Sequence, residues 1–133
     1  MKKRHKIPAG KIGGLAEKIA ANFLIAQGYQ ILEINFFNPT GYRFGEIDLI
    51  TKDPQDRLVF IEVKSLIQRS PQADCLPENN ITKRKIIKLQ RIIEYYLRRH
   101  NLLETEWRLD LVTVIFDFQK RRLQIKQTKY LRY

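Results

Sequence analysis

The chain has little of what redox, zinc or triad chemistry requires. It carries one cysteine, Cys75, which excludes an internal disulfide framework and a cysteine-based zinc site and leaves the cytoplasm as the default compartment. Its two histidines, His5 and His100, have no metal-ligand partner at useful spacing, so zinc hydrolysis and histidine acid–base chemistry find no support. Ser65 and Ser70 lack the partners of a triad, and Gly10-Lys11-Ile12-Gly13-Gly14 lacks the strand and the Gly-Lys-Ser/Thr ending of a phosphate-binding loop. No run approaches the roughly 18 apolar residues of a membrane span, so membrane contact would be electrostatic only. The basic start, Met1 to Lys6, runs into Ile7-Pro8-Ala9-Gly10-Lys11 rather than an apolar stretch, and export is not expected. There is no internal repeat and no low-complexity segment.

Acidic residues are also scarce. Against 14 Asp and Glu stand 25 Lys and Arg in 133 residues, a formal charge of +11 that points to a polyanionic partner. A hydrophobic content of 44% rules out a disordered basic tail, so the charge decorates a folded body. The length fits one domain, 1–133, that buries roughly two thirds of its unfolded surface and has basic termini at 1–10 and 128–133.

Apolar residues from Ile12 to Leu24 recur at helical spacing over Lys11 to Gln27, and Gly28 offers a stop. Strands are expected over Gln30–Phe36, Tyr42–Thr51, Leu58–Lys64, Trp107–Phe116 and, as a last edge strand, Leu123–Thr128. Leu58–Lys64 is apolar on both faces, as a covered central strand should be. Ser65 to Asn80 is polar, without a period, and is expected to be a loop. A second helix, Thr82 to His100, has an apolar stripe of Ile86, Leu89, Ile93, Tyr96 and Leu97 and a basic stripe of Arg84, Lys88, Arg91 and Arg98. The order α, three strands, α, two strands defines a mixed α/β domain.

Strand alternation puts Glu46, Asp48 and Ile50 on one face, and Leu58, Phe60, Glu62 and Lys64 on one face of the next strand. If the turn pairs Lys52 with Leu58, Ile50 falls opposite Phe60, Asp48 opposite Glu62 and Glu46 opposite Lys64. Opposed like charges are destabilising, so Asp48 and Glu62 call for something positive between them. A divalent cation meets that need, and oxygen-only ligation suits Mg2+. An ordinary salt-bridge network on a solvated face meets it too, and the residues alone leave both readings open.

Phe44-Gly45-Glu46-Ile47-Asp48-Leu49-Ile50, followed by Val59-Phe60-Ile61-Glu62-Val63-Lys64, resembles the D...ExK core of the PD-(D/E)xK nuclease superfamily. The likeness is closest to the YraN-like bacterial proteins, small relatives of the archaeal Holliday junction resolvases. It extends upstream to Gly13-Gly14-Leu15-Ala16-Glu17, with Ala20, Ala21, Leu24 and Gly28, and downstream to Thr82, Lys85 and Arg108-Leu109-Asp110. The resemblance implies a restriction-endonuclease-like α/β fold, a mixed sheet of about five strands flanked by two main helices. It also implies a Mg2+-dependent DNA endonuclease, structure-selective in the manner of a junction resolvase, with Mn2+ as a substitute ion.

Carried over by position, Asp48 and Glu62 become metal ligands, the Val63 carbonyl a third ligand, Lys64 the catalytic lysine and Glu17 the helix glutamate that completes the acidic site. Glu17 and Leu24, seven residues apart, lie within about 20° on a helix, so Glu17 stands at the margin of the buried face. Glu46 ranks below Asp48: an outer carboxylate beside the ligands, a partner of Lys64, or a residue that merely follows Gly45. Lys85 reaches a phosphate or simply snorkels.

Arg84, Lys88, Arg91 and Arg43 complete the expected nucleic-acid contacts, with Tyr42, Tyr130 and Tyr133 available for base stacking. A resolvase cuts two strands symmetrically, so the resemblance admits a homodimer. The alternative is a non-catalytic nucleic-acid binder that keeps the fold as an accessory to recombination, repair or DNA uptake. Three departures bear on substrate contacts: the long turn before Gly45, Ser65-Leu66 where relatives commonly have arginine, and the segment from Ile67 to Asn80.

Overall fold

The apolar repeat near the N-terminus forms α1 (Leu15–Ala26), which buries Ala20, Ala21 and Leu24. Gly28 ends it as expected: at φ +93° its N–H donates to the Ile25 carbonyl at 3.0 Å, and the Tyr29 N–H donates to the Leu24 carbonyl at 2.9 Å. This left-handed closure satisfies carbonyls that the helix leaves open. The computed structural model describes residues 14–39, 41–42, 45–68 and 81–129. The expected helical residues 11–13, both basic termini apart from residues 128 and 129, and the segment 69–80 lie outside them.

After α1 come β1 (Gln30–Phe36), β2 (Ile47–Lys52), β3 (Leu58–Gln68), α2 (Lys83–Arg99), β4 (Trp107–Asp117) and β5 (Arg122–Thr128). The sheet order is β1-β2-β3-β4-β5. Only β3 and β4, joined across α2, are parallel, and the other neighbours are antiparallel. Thr82 caps α2, its hydroxyl accepting the Lys85 N–H at 3.1 Å.

Two expectations are corrected. The strand foreseen from Tyr42 begins only at Ile47, because Gly41 at φ +79° and Gly45 at φ +131° bend the chain out of the extended region. The loop foreseen from Ser65 is, up to Gln68, the C-terminal end of β3, where Ser65 to Gln68 pair with Val114 to Asp117 in a long-range parallel ladder.

Each face of the sheet is covered by one helix. On one side Ile86, Leu89, Ile92, Ile93, Tyr96 and Leu97 of α2 pack on Ile47, Ile50, Leu58, Phe60, Leu109 and Leu111. On the other, Ala20, Ala21 and Leu24 of α1 pack on Ile31, Ile34, Leu49, Val59, Ile61, Val112 and Val114. β1 and β2 do not alternate strictly. The paired residues Ile34 and Leu49 belong to the α1-side core, whereas the next pair along, Phe36 and Ile47, packs on the α2 side. The switch falls at Asn35, at φ +52°, and at Asp48 on the neighbouring strand. Asp48 therefore parts from Ile50, which packs on the α2 side, contrary to the alternation argument, while it stays with Glu46.

A buried polar network ties the ends of four strands together. Arg108 on β4 bonds Asp110 through Nε (3.1 Å), Asp53 through one terminal nitrogen (3.0 Å) and the Tyr29 hydroxyl through the other (2.8 Å). Gln127 of β5 donates to Asp110 at 2.9 Å and to the Tyr29 hydroxyl at 3.2 Å.

Candidate functional site

β2 and β3 pair from Lys52–Leu58 to Leu49–Ile61, the register expected from the turn, and there their pairing ends while β3 continues along β4 to Gln68. Asp48 and Glu62, the next residues on each strand, stand where the two strands part. The Val63 N–H donates to Asp48 Oδ2 at 2.7 Å, so the carboxylate takes the place of a backbone partner at the opening.

Glu17 of α1 and Glu46, just ahead of β2, complete a cluster: carboxylate oxygens of Glu17, Glu46 and Asp48 lie within 4.8 Å of one another, and all three residues are half-buried. Glu62, 9% exposed, adjoins Asp48 from β3 and receives Lys85 of α2, whose Nζ is 3.4 Å from Oε1. Lys64, two residues further along β3, is exposed.

The site is electrostatically tense. Burial, then the charges of Glu62, Glu17 and Glu46, push the Asp48 carboxyl up to about 8, against the opposing hydrogen bond from Val63. Burial also raises Glu62, opposed first by the charge and hydrogen bond of Lys85, then by side-chain hydrogen bonding with Asp48 and the charge of Lys64. Glu17 Oε2 and Glu62 Oε2 are buried with no hydrogen-bond partner among the described residues. Buried acceptors with nothing to accept are costly, and a cation would satisfy both. Hard carboxylate oxygens fit Mg2+ in number and chemistry.

Of the expected site residues, Glu17, Asp48 and Glu62 thus converge, with Glu46 closer to the centre than its lower rank implied, while Lys64 is exposed and its charge reaches Glu62. Val63 enters through its N–H. Lys85 is engaged with Glu62 and does not stand free on the surface. Arg84, Lys88 and Arg91, with Lys83 and Ile87, line an open groove of about 450 Å³ along the outer side of α2. Tyr42 is 83% exposed, while Arg43, Tyr130 and Tyr133 lie outside the described residues. Sequence reasoning missed the Lys85–Glu62 pair. Its one signal was the position of Lys85 at the border between the apolar and basic sides of the helix.

A five-stranded mixed sheet with a helix on each face and carboxylates gathered where two strands part defines a restriction-endonuclease-like α/β protein. Residues 16–114 match the family model of UPF0102, described as an uncharacterised protein family, and the chain belongs to that family, the YraN-like one. It is similar to UPF0102 proteins of Clostridium kluyveri, 39% identical over 106 residues (80% of each chain), and of Moorella thermoacetica, 37% over 109 residues (82% of this chain, 84% of the relative). Its match to the UPF0102 protein of Caldanaerobacter subterraneus, 35% identical, spans 93% of both chains. No helix among the described residues is long and apolar enough to cross a membrane.

Proposed function

We propose that this protein is a Mg2+-dependent endonuclease of the PD-(D/E)xK type that hydrolyses phosphodiester bonds in DNA, with branched junctions as its preferred substrates. The observation that carries this reading is the convergence of Glu17, Glu46 and Asp48 within 4.8 Å, beside Glu62, in a chain of formal charge +11. Asp48, Glu62 and Glu17, with the Val63 carbonyl, would hold Mg2+, or Mn2+ in its place, and Glu46 would support them. Bound there, the ion would supply an activated water and neutralise charge on the scissile phosphate.

The remaining work falls to the chain's own side chains. Lys64, exposed two residues beyond Glu62 on β3, would orient a water or stabilise charge on a phosphate oxygen. Lys83, Arg84, Lys88 and Arg91 along the α2 groove would hold backbone phosphates with little regard to sequence. Symmetric cleavage of a junction needs two such sites, which a homodimer would provide.

Incubating the pure protein with four-way, flap and single-stranded DNA in Mg2+ or Mn2+ tests the reading. Cleavage should be lost in Lys64→Ala and in Asp48→Ala. Absence of cleavage, or cleavage unchanged by both substitutions, would sink it. The α2 groove, which needs no metal, favours a second reading: a DNA binder without catalysis, acting in recombination, repair or DNA uptake. That reading expects affinity that is unaffected by EDTA and by Asp48→Ala.

A further inference from the structure

Lys85 has a position that neither phosphate binding nor metal binding explains. It lies in the first turn of α2, where the Thr82 hydroxyl fixes its backbone N–H, and its stem reaches back over the sheet opening. Neighbouring Lys83, Arg84 and Lys88 face the groove, but the Lys85 ammonium comes to 3.4 Å from Glu62 Oε1. The pair is lopsided: the Glu62 side chain is 11% exposed and that of Lys85 is 51% exposed. The acid is fixed and enclosed, while the lysine approaches it from solvent. One oxygen of Glu62 is thereby neutralised, and the other, Oε2, stays buried without a partner.

An ammonium placed this way does part of a metal's work. It offsets a buried carboxylate and keeps it pointed into the site, but its single charge is spent on Glu62. It also occupies space and charge that a divalent ion at Glu62 would need. We infer that Lys85 is an internal counter-ion that holds Glu62 in the metal-free protein and competes with the divalent cation for it. Ion binding then displaces the ammonium toward solvent, a movement its half-exposed four-carbon stem permits without any shift of α2. The inference rests on the metal reading above and adds a regulation to it: the site stays ordered without metal, at the cost of weaker loading.

Mn2+ titrations of wild type, Lys85→Gln and Lys85→Arg, followed by the EPR signal of the free ion, test it. Removing a charge this close to a ligand should tighten Mn2+ binding by about tenfold in Lys85→Gln, while Lys85→Arg, which keeps the charge, stays within about twofold of wild type. Equal or weaker binding by a folded Lys85→Gln overturns the inference, as does an equal gain in both variants. No Mn2+ binding by either wild type or Lys85→Gln overturns the metal reading itself, a distinguishable result. Should Lys85→Gln fail to fold in EDTA, rescue by Mn2+ but not by sodium chloride of equal ionic strength supports competition, and rescue by neither overturns it.

Discussion

Asp53 offers a direct test of how this basic protein treats a fully satisfied buried acid. Its side chain is 1% exposed and accepts the Gln55 and Arg57 N–H groups at 2.9 Å each, the Arg57 Nε at 2.8 Å and an Arg108 terminal nitrogen at 3.0 Å. Burial by itself would raise the carboxyl, but the Arg57 amide, the Arg108 and Arg57 guanidinium groups and the Gln55 amide outweigh it and hold the group below the usual carboxylate range. Asp53→Asn keeps the shape and one acceptor oxygen, but it turns an amide donor toward two guanidinium donors. Breaking a buried pair by removing one partner costs about 3–5 kcal/mol. Arg108 keeps Asp110, so the lower end applies, about 3 kcal/mol, or roughly 10 °C in Tm for a chain this size. The sign of the pH dependence follows from the lowered value. Asp53 contributes its full stability above the unfolded pKa of about 3.9 and loses it as pH falls through the lower folded value. Urea unfolding of wild type and Asp53→Asn should therefore show the gap near neutral pH and its narrowing at about pH 3. A cost under about 1 kcal/mol at neutral pH, or an equal cost at both, would refute the reasoning.

Three further outcomes are expected. Asp48→Asn removes a charge that the metal-free site bears poorly while keeping an oxygen for the Val63 N–H; because the folded carboxyl ionises near 8 and the unfolded one near 4, wild type in EDTA loses stability as pH rises through that window. Thermal melts in EDTA should place the variant roughly 5 °C above wild type at about pH 8 and level with it at about pH 4, and Mg2+ should then stabilise wild type only. Arg84→Glu with Lys88→Glu should weaken DNA binding and flatten the slope of log affinity against log salt by about 2, measured by fluorescence anisotropy, with the circular dichroism spectrum unchanged. Gly28→Ala should cost about 1–2 kcal/mol in urea unfolding, since an added Cβ meets φ +93° and a Pro54 side-chain carbon at 3.2 Å.

What local pattern controls was legible. β1 and α2 match their expected spans to within a residue, because alternation, helical period, the Thr82 cap and the Gly28 stop are all written within a few residues of where they act. The β2–β3 register followed from a short turn for the same reason. The rest depends on partners distant in sequence. Ser65 to Gln68 have no strand pattern of their own and extend β3 only because β4 supplies a matching ladder. The face switch at Asn35 and Asp48 requires a left-handed residue, which a polar asparagine permits but does not announce. Without that switch, alternation kept Asp48 and Glu46 on the face of Ile50 and gave them no reason to meet Glu17 of α1.

The excess of cations sharpens what the site means. This chain has cations to spare, and where a buried acid is structural it uses them: Asp53 and Asp110 share Arg108, and Asp53 also takes Arg57. In the cluster the pattern reverses. Among the described residues no lysine or arginine bridges Glu17 or Asp48, and Glu62 receives one half-exposed lysine at 3.4 Å. A shortage of positive charge cannot explain this, since Lys64 and the cations of the α2 groove remain exposed. Pairing every acid permanently would be the more stable arrangement, as the opposite shifts of Asp53 and Asp48 indicate. Leaving Glu17 and Asp48 without a cationic partner among the described residues costs folding stability, a cost that the proposed metal site would recover on binding its ion.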